Sequence, residues 1–196
     1  MSKPEAGRRT QLCAEDWLMA GFRALVRQGP SGLRAESLAR DLKTTKGSFY
    51  WHFADVPSFR AELLALWATR AYGDVLAQLA DAATPHAKLT RLCVLAVSYR
   101  DPTYGGAALE PALRAWARED TNVARAVAEM DARRISYVKS LCLACGLTNP
   151  DLPLLLYAAS QGYDSLDSAN TGVLAAERGM RALLQLAGVQ AQAEPN

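Results

Sequence analysis

The chain has 196 residues, half of them apolar and 21% charged, with a formal net charge of +2. That length and composition suit one large domain or a small domain joined to a larger one, and they exclude global disorder. The charge is uneven. Residues 1–60 carry ten Lys/Arg against six Asp/Glu, and residues 61–196 carry twelve against fourteen, so an acidic partner such as nucleic acid is drawn to the first third. No run approaches the roughly 18 apolar residues of a membrane span, and no membrane partner is expected. The opening MSKPEAGRRTQ is polar and lacks an apolar signal core, which predicts a cytoplasmic protein.

Alanine and leucine dominate and β-branched alternation is missing, which predicts an all-α fold. A first helix over about Gln11 to Gln28 carries an apolar stripe through Ala14, Leu18, Phe22 and Leu25, and GPSG closes it. A short second helix covers about Ala35 to Leu42, with Leu38, Ala39 and Leu42 inward. After the tight turn KTT, Thr45 is the expected N-cap of a third helix, Lys46 to Phe53. Asp55 and Pro57 open a long fourth helix to near Ala82. Thr84 and Pro85 open a fifth, to about Tyr99. The loop RDPTYGG leads to a sixth helix over about Ala107 to Ala117. A seventh runs from about Asn122 to Cys145 and stops at Gly146. An eighth follows TNPDLP to about Leu166, and a ninth spans about Gly172 to Ala187. Two domains are expected: 1–55, with a basic arm at 1–10, and 56–190.

The segment TTKGSFYWHF, Thr44 to Phe53, concentrates aromatics beside a glycine and a cation. At 100° per residue, Phe49 and Phe53 share an inward face. Gly47, Ser48 and Trp51 lie opposite, with Tyr50 on a flank. The second and third helices, joined by a short turn, have helix-turn-helix dimensions. On the outer face Gly47 permits close backbone approach. Thr45 and Ser48 can donate to phosphates or base edges, Lys46 adds charge, Tyr50 and His52 can bond phosphates, and Trp51 can touch a thymine methyl or sugar. The spacing alone is equally that of an ordinary short aromatic helix.

The stretch GLRAESLARDLKTTKGSFYWHFADVPSF resembles the DNA-binding segment of TetR-family bacterial transcription regulators. Thr45, Gly47, Ser48, Phe49, Tyr50, Trp51, His52 and Phe53 fill the family's pattern. The resemblance implies an N-terminal helix-turn-helix domain, then a larger helical domain for dimerisation and small-molecule binding. It makes Arg34, Thr44, Thr45, Lys46, Gly47, Ser48, Tyr50, Trp51 and His52 the candidate contacts to a double-stranded DNA operator. Two departures stand out. Lys43 occupies the turn position where the family usually has glycine, and an αL conformation there costs a lysine something. Val56 stands where the family often has a phosphate-contacting lysine, with Lys43 or Arg60 as stand-ins. Lys3, Arg8 and Arg9 suit either a DNA-tracking arm or a solvated tail.

For the remaining helices the resemblance implies a homodimer, formed by the eighth and ninth through Leu155, Ala158, Ala159, Gly162, Leu166, Val173, Glu177, Met180, Arg181 and Leu184 as a four-helix bundle. The same residues also suit closure of a single chain's core. An effector pocket is expected among Trp67, Tyr99, Trp116, Met130, Arg134, Tyr137 and Tyr157. Arg134 invites an anion, although an ion pair with Glu110 or Asp131 is the commoner arrangement. Cys142 and Cys145 form C-x-x-C, but no βαβ pattern precedes them and the chain's two histidines, His52 and His86, are far away, so they read as small apolar residues near a helix end. No catalytic order, phosphate loop or metal spacing is present, and neither enzyme activity nor a cofactor is expected. The reading is a DNA-binding regulator, a repressor released by an effector. The alternatives are an effector-independent dimeric regulator and a helical interaction module.

Overall fold

A computed structural model describes residues 12–98, 105–166 and 172–189. Among these residues there are nine α-helices and no strand. They are α1 (Ala14–Gln28), α2 (Ala35–Asp41), α3 (Lys46–Tyr50), α4 (Val56–Gln78), α5 (Pro85–Ser98), α6 (Leu109–Trp116), α7 (Thr121–Ala144), α8 (Leu152–Ser165) and α9 (Val173–Leu186). Short 3-10 turns cover Gly29–Gly32 and Gly106–Ala108. The basic arm at 1–10 lies outside the described residues.

Four of the helix starts, those of α3, α4, α5 and α7, follow from local side-chain chemistry. The Thr45 hydroxyl accepts from the Ser48 amide at 3.3 Å, the Asp55 carboxylate from the Ser58 amide at 2.7 Å, and the Thr84 hydroxyl from the Ala87 amide at 3.1 Å. The Asp120 carboxylate starts α7 by accepting from Asn122 and Val123. At the other end, α7 and α9 finish in the same backbone hook. Gly146 and Gly188 adopt positive φ, and the next amides, of Leu147 and Val189, donate back to Cys142 and Leu184, each at 2.9 Å. α2 ends in this hook too. Its left-handed residue is Lys43, φ 53°, followed by Thr44 donating to Ala39 at 2.9 Å.

The chain divides into two compact units, Met1–Leu63 and Leu64–Asn196. The division falls inside α4, eight residues beyond the boundary expected from sequence. The reason is packing. Phe59 and Leu63, on the first two turns of α4, are fully buried, and Phe59 stacks at 5.3 Å from Phe49 and 5.0 Å from Phe53. A Cβ on Gly21 of α1 would meet Phe59 at 2.7 Å and Leu63 at 3.2 Å. The small unit therefore takes these two turns of α4 to complete its core.

The larger unit is built on a core of Leu89, Cys93 and Val97 from α5, Val138, Leu141 and Cys142 from α7, Leu152 and Leu156 from α8, and Ala176, Met180 and Leu184 from α9. Burial pushes the Cys93 thiol up to about 12, helped by neighbouring Cys142. Cys142 and Cys145 are likewise raised by burial. These thiols act as small apolar side chains, since a thiolate is the reactive form.

Candidate nucleic-acid interface

α3 is held by its inner face. Phe49 and Phe53 are buried, and Phe49 packs edge-on to Trp17 of α1 at 5.4 Å and against Phe53 at 5.1 Å. Trp17 and Phe59 complete this aromatic cluster and were not singled out in the sequence. Trp17 lies one residue off the stripe assigned to the first helix, and Phe59 lies beyond the expected domain boundary.

The outer face carries the other residues. Trp51 is 88% exposed and Tyr50 47%. Thr45, Lys46 and Gly47 are exposed, and Thr44, Ser48 and His52 are half-buried. Arg34 is exposed at the N-cap of α2. The sequence-derived contacts on the turn and α3 thus all keep solvent-accessible surface, and Arg34 stands at the start of the preceding helix. Of the two stand-ins for the missing lysine, Lys43 is exposed. Arg60 instead turns inward and donates to the Pro30 carbonyl at 3.3 Å. Glu36 went unremarked in the sequence. It accepts from Lys46 across the turn.

Gly47 has no task in the chain's own fold. Its φ is not left-handed. A Cβ there would meet nothing nearer than the Thr45 hydroxyl at 3.7 Å, an ordinary contact. It occupies the second position of α3, directly after Lys46, where glycine is a poorer helix former than alanine.

In the larger unit several of the expected pocket residues have polar partners within the fold. Trp67, Trp116 and Met130 are buried. Arg134 donates to Glu110 at 2.7 Å and to the Ala71 carbonyl at 3.5 Å, and the Trp67 indole donates to Glu110 at 3.3 Å. Burial alone would lower the Arg134 guanidinium, but the Glu110 charge and hydrogen bond together with Tyr157 outweigh it and the net direction is up. Arg134 therefore pairs with an internal carboxylate, the commoner of the two arrangements open to it from sequence. Tyr157 donates to Asp131 at 2.6 Å, and Arg114 grips Asp131 with two bonds of 2.9 and 2.8 Å while also reaching Tyr157 and Gln161. Tyr137 stands edge-on to Tyr72, which carries the Arg133 guanidinium at 3.9 Å. Tyr99 lies outside the described residues.

The expected dimer residues divide. Leu155, Ala158, Gly162 and Leu166 of the α8 region are exposed, as are Val173 and Arg181 of α9, and Glu177 is half-buried. Met180 and Leu184 are buried within the chain's own core, and Ala159 packs partly against it. For these residues burial favours closure of the chain's own core, the other role open to them from sequence. The stripe Ala176, Met180, Leu184 faces inward at four-residue spacing, and a side chain buried there cannot meet a second subunit. The exposed apolar groups also include Leu154 and Leu174.

Among the described residues, no group of His, Cys, Asp or Glu could hold a metal ion, and no helix is long and apolar enough to cross a membrane.

No protein-family model and no curated protein sequence matches the chain. Solved structures do. A transcriptional regulator from Rhodococcus sp. Rha1 superposes with TM-score 0.71 at 16% identity, over 94% of this chain and 100% of that one. A TetR-family transcriptional regulator from Streptomyces coelicolor gives 0.67 at 17%, over 95% and 97%. A transcriptional regulator from Saccharomonospora viridis, solved in complex with choline, gives 0.71 at 16%, over 88% and 95%. At such identities the likeness is one of fold. The chain has the all-helical fold of TetR-family transcriptional regulators.

Proposed function

We propose that this chain is a DNA-binding transcriptional regulator that reads a near-palindromic operator as a homodimer. The observation that carries the reading is Gly47. It lies at the leading end of an exposed α3 face, its Cβ would touch nothing in the protein beyond ordinary contact, and helix stability disfavours it. Clearance for a duplex accounts for it. Around it, Thr45, Ser48, Tyr50, Trp51 and His52 supply donors and flat surfaces for phosphates and base edges, and Arg34 supplies charge. The exposed apolar groups of α8 and α9, with Leu155, Ala158, Gly162, Leu166 and Val173, supply a surface for a second copy. A two-fold dimer sets two reading helices about 34–36 Å apart, one turn of duplex. The fold shared with regulators supports the same reading. Gel shift against duplexes from the chain's own upstream region tests it. Retarded complexes competed by the same duplex are expected, and no retardation on any duplex from that region sinks the proposal.

Repression relieved by an effector is the finer reading. Glu110 and Asp131 sit against Trp67 and Tyr157 and are each bonded to an arginine. A molecule that displaced an arginine from either carboxylate would itself be a cation with an affinity for aromatic faces. The neighbour solved with choline contains such a molecule. A thermal-shift comparison of choline with simple carboxylates tests this: stabilisation by the cation alone supports it, and stabilisation by the carboxylates alone refutes it.

A further inference from the structure

Lys46 is held at the leading turn of α3. Its ammonium donates to the Glu36 carboxylate, joining the first turns of α2 and α3. It also lies over the Tyr50 ring, 5.9 Å from the centroid. Tyr50 is in turn fixed edge-on to buried Phe49 at 5.2 Å. The two charged side chains are half exposed, 50% for Lys46 and 58% for Glu36. The pair therefore stands on the surface that carries Arg34, Thr45 and Gly47. The bond from Lys46 holds the Glu36 carboxyl below the usual carboxylate range, and the same bond raises the Lys46 ammonium, so both stay charged at neutral pH.

A carboxylate among the cations of a duplex-facing surface has an electrostatic consequence. Sequence-independent affinity comes from cations that neutralise phosphates and release counterions. A lysine already neutralised by its own protein releases none. Resting on the DNA-binding reading, we infer that Glu36 is a specificity-determining residue: by occupying Lys46 it withholds one positive charge from the phosphate backbone. Binding to arbitrary sequence is thereby weakened, and discrimination is left to the α3 face around Gly47, Ser48 and Trp51. The Lys46–Glu36 bond and the Tyr50 ring also fix the lysine's position, so its charge is released only when the carboxylate is removed or displaced.

The test uses the full chain and a short random-sequence duplex, with affinity measured by fluorescence anisotropy between about 50 and 200 mM salt. Glu36→Gln keeps the side-chain shape and frees Lys46. Its plot of log affinity against log salt is expected to be steeper than wild type by about 0.9 for each subunit engaged, the value for one neutralised phosphate, or about 1.8 for a dimer with both reading helices on the duplex. The affinity advantage of Glu36→Gln over wild type then shrinks about three- to four-fold per engaged subunit across that salt range, or roughly twelve-fold for the dimer. In a Lys46→Gln background the same substitution is expected to leave the slope unmoved. An unchanged slope in Glu36→Gln overturns the inference. Equal steepening with and without Lys46 overturns it as well, by assigning the effect to the carboxylate's general field. If wild type binds no duplex, upstream or random, the DNA-binding reading fails and this inference fails with it. Binding with a wild-type slope in Glu36→Gln sinks the inference alone. Circular dichroism of each variant confirms that the exposed substitutions leave the helices intact.

Discussion

Tyr163 of α8 lies directly over Gly179 of α9: a Cβ on Gly179 would sit 1.8 Å from the phenolic oxygen and 2.8 Å from the ring carbon that bears it. No real contact is so short, so any side chain at 179 makes the Tyr163 ring or the helix shift. An exposed helical glycine replaced by alanine normally gains stability, up to about 1 kcal/mol. Here the sign is expected to reverse. Gly179→Ala should lower unfolding free energy by about 1–3 kcal/mol, the usual range for overpacking, as read by urea denaturation. Adding Tyr163→Phe should restore part of the loss, because it removes the nearest atom and leaves the ring. A neutral or stabilising Gly179→Ala would show that α8 and α9 are not packed through this pair.

Lys43 closes α2 in a conformation that Gly146 and Gly188 adopt at the ends of α7 and α9. An L-residue in the left-handed region costs about 1–2 kcal/mol, and glycine's extra unfolded-state entropy returns about 0.5–1 of that. Lys43→Gly is therefore expected to stabilise the small unit modestly, by up to about 1 kcal/mol. Lys43→Val, β-branched at positive φ, should destabilise it. Thermal melts of the three proteins should rank glycine, lysine, valine. A glycine variant less stable than wild type would mean that the lysine contributes something the backbone geometry does not reveal.

The Arg114–Asp131–Tyr157 cluster gives a pH dependence with a definite sign. Burial pushes the Asp131 carboxyl up, but bonds from Arg114 and Tyr157 and the two nearby guanidinium charges outweigh it, so the group lies below its ordinary value. A carboxyl depressed in the folded state contributes stability above its unfolded value, about 3.9, and loses it as pH falls through the folded value. Wild type should therefore lose stability on acidification below about pH 4. Asp131→Asn should be less stable at neutral pH by about 1–3 kcal/mol, since it leaves a half-buried arginine under-bonded. The gap between the two should narrow in acid. A constant gap from neutral pH to pH 3 would remove Asp131 from the account.

Element order was legible because helix starts and stops are local chemistry. Thr45, Asp55 and Thr84 cap, and Gly146 ends a helix, whatever the rest of the chain does. The two faces of α3 were legible for a similar reason, as four-residue spacing puts Phe49 and Phe53 together. What was not legible depended on partners distant in sequence. Phe59 joins the small core because it meets Phe49 and Phe53, and nothing in VPSF announces this. Arg134 had two possible carboxylates at sequence level, and only the packing of α6 beside α7 selects Glu110. Met180 and Leu184 looked equally suited to an inner or an outer surface. One stripe of α9 covers α5 and the adjacent one faces out, a difference of one residue that periodicity cannot resolve over so short a helix. Glu36 was unremarkable until the turn brought it to Lys46.

Gly47 separates fold from function most cleanly. In the isolated protein, Gly47→Ala should be neutral or stabilising by up to about 1 kcal/mol, because alanine is the better helix former and its Cβ has 3.7 Å to the nearest atom. Against DNA the same methyl should intrude where the backbone approaches the duplex. A misfit of this kind costs about 1–3 kcal/mol, and each 1.4 kcal/mol is tenfold in affinity. A loss of roughly tenfold or more in operator affinity is therefore expected from a protein that melts no lower than wild type. Gly47→Val should lose more affinity. Stability and binding must move in opposite directions for this reading to hold. If Gly47→Ala bound the operator as tightly as wild type, α3 would not approach the duplex through this face. If it unfolded more easily, the glycine would have a structural reason that its surroundings in the folded chain do not supply.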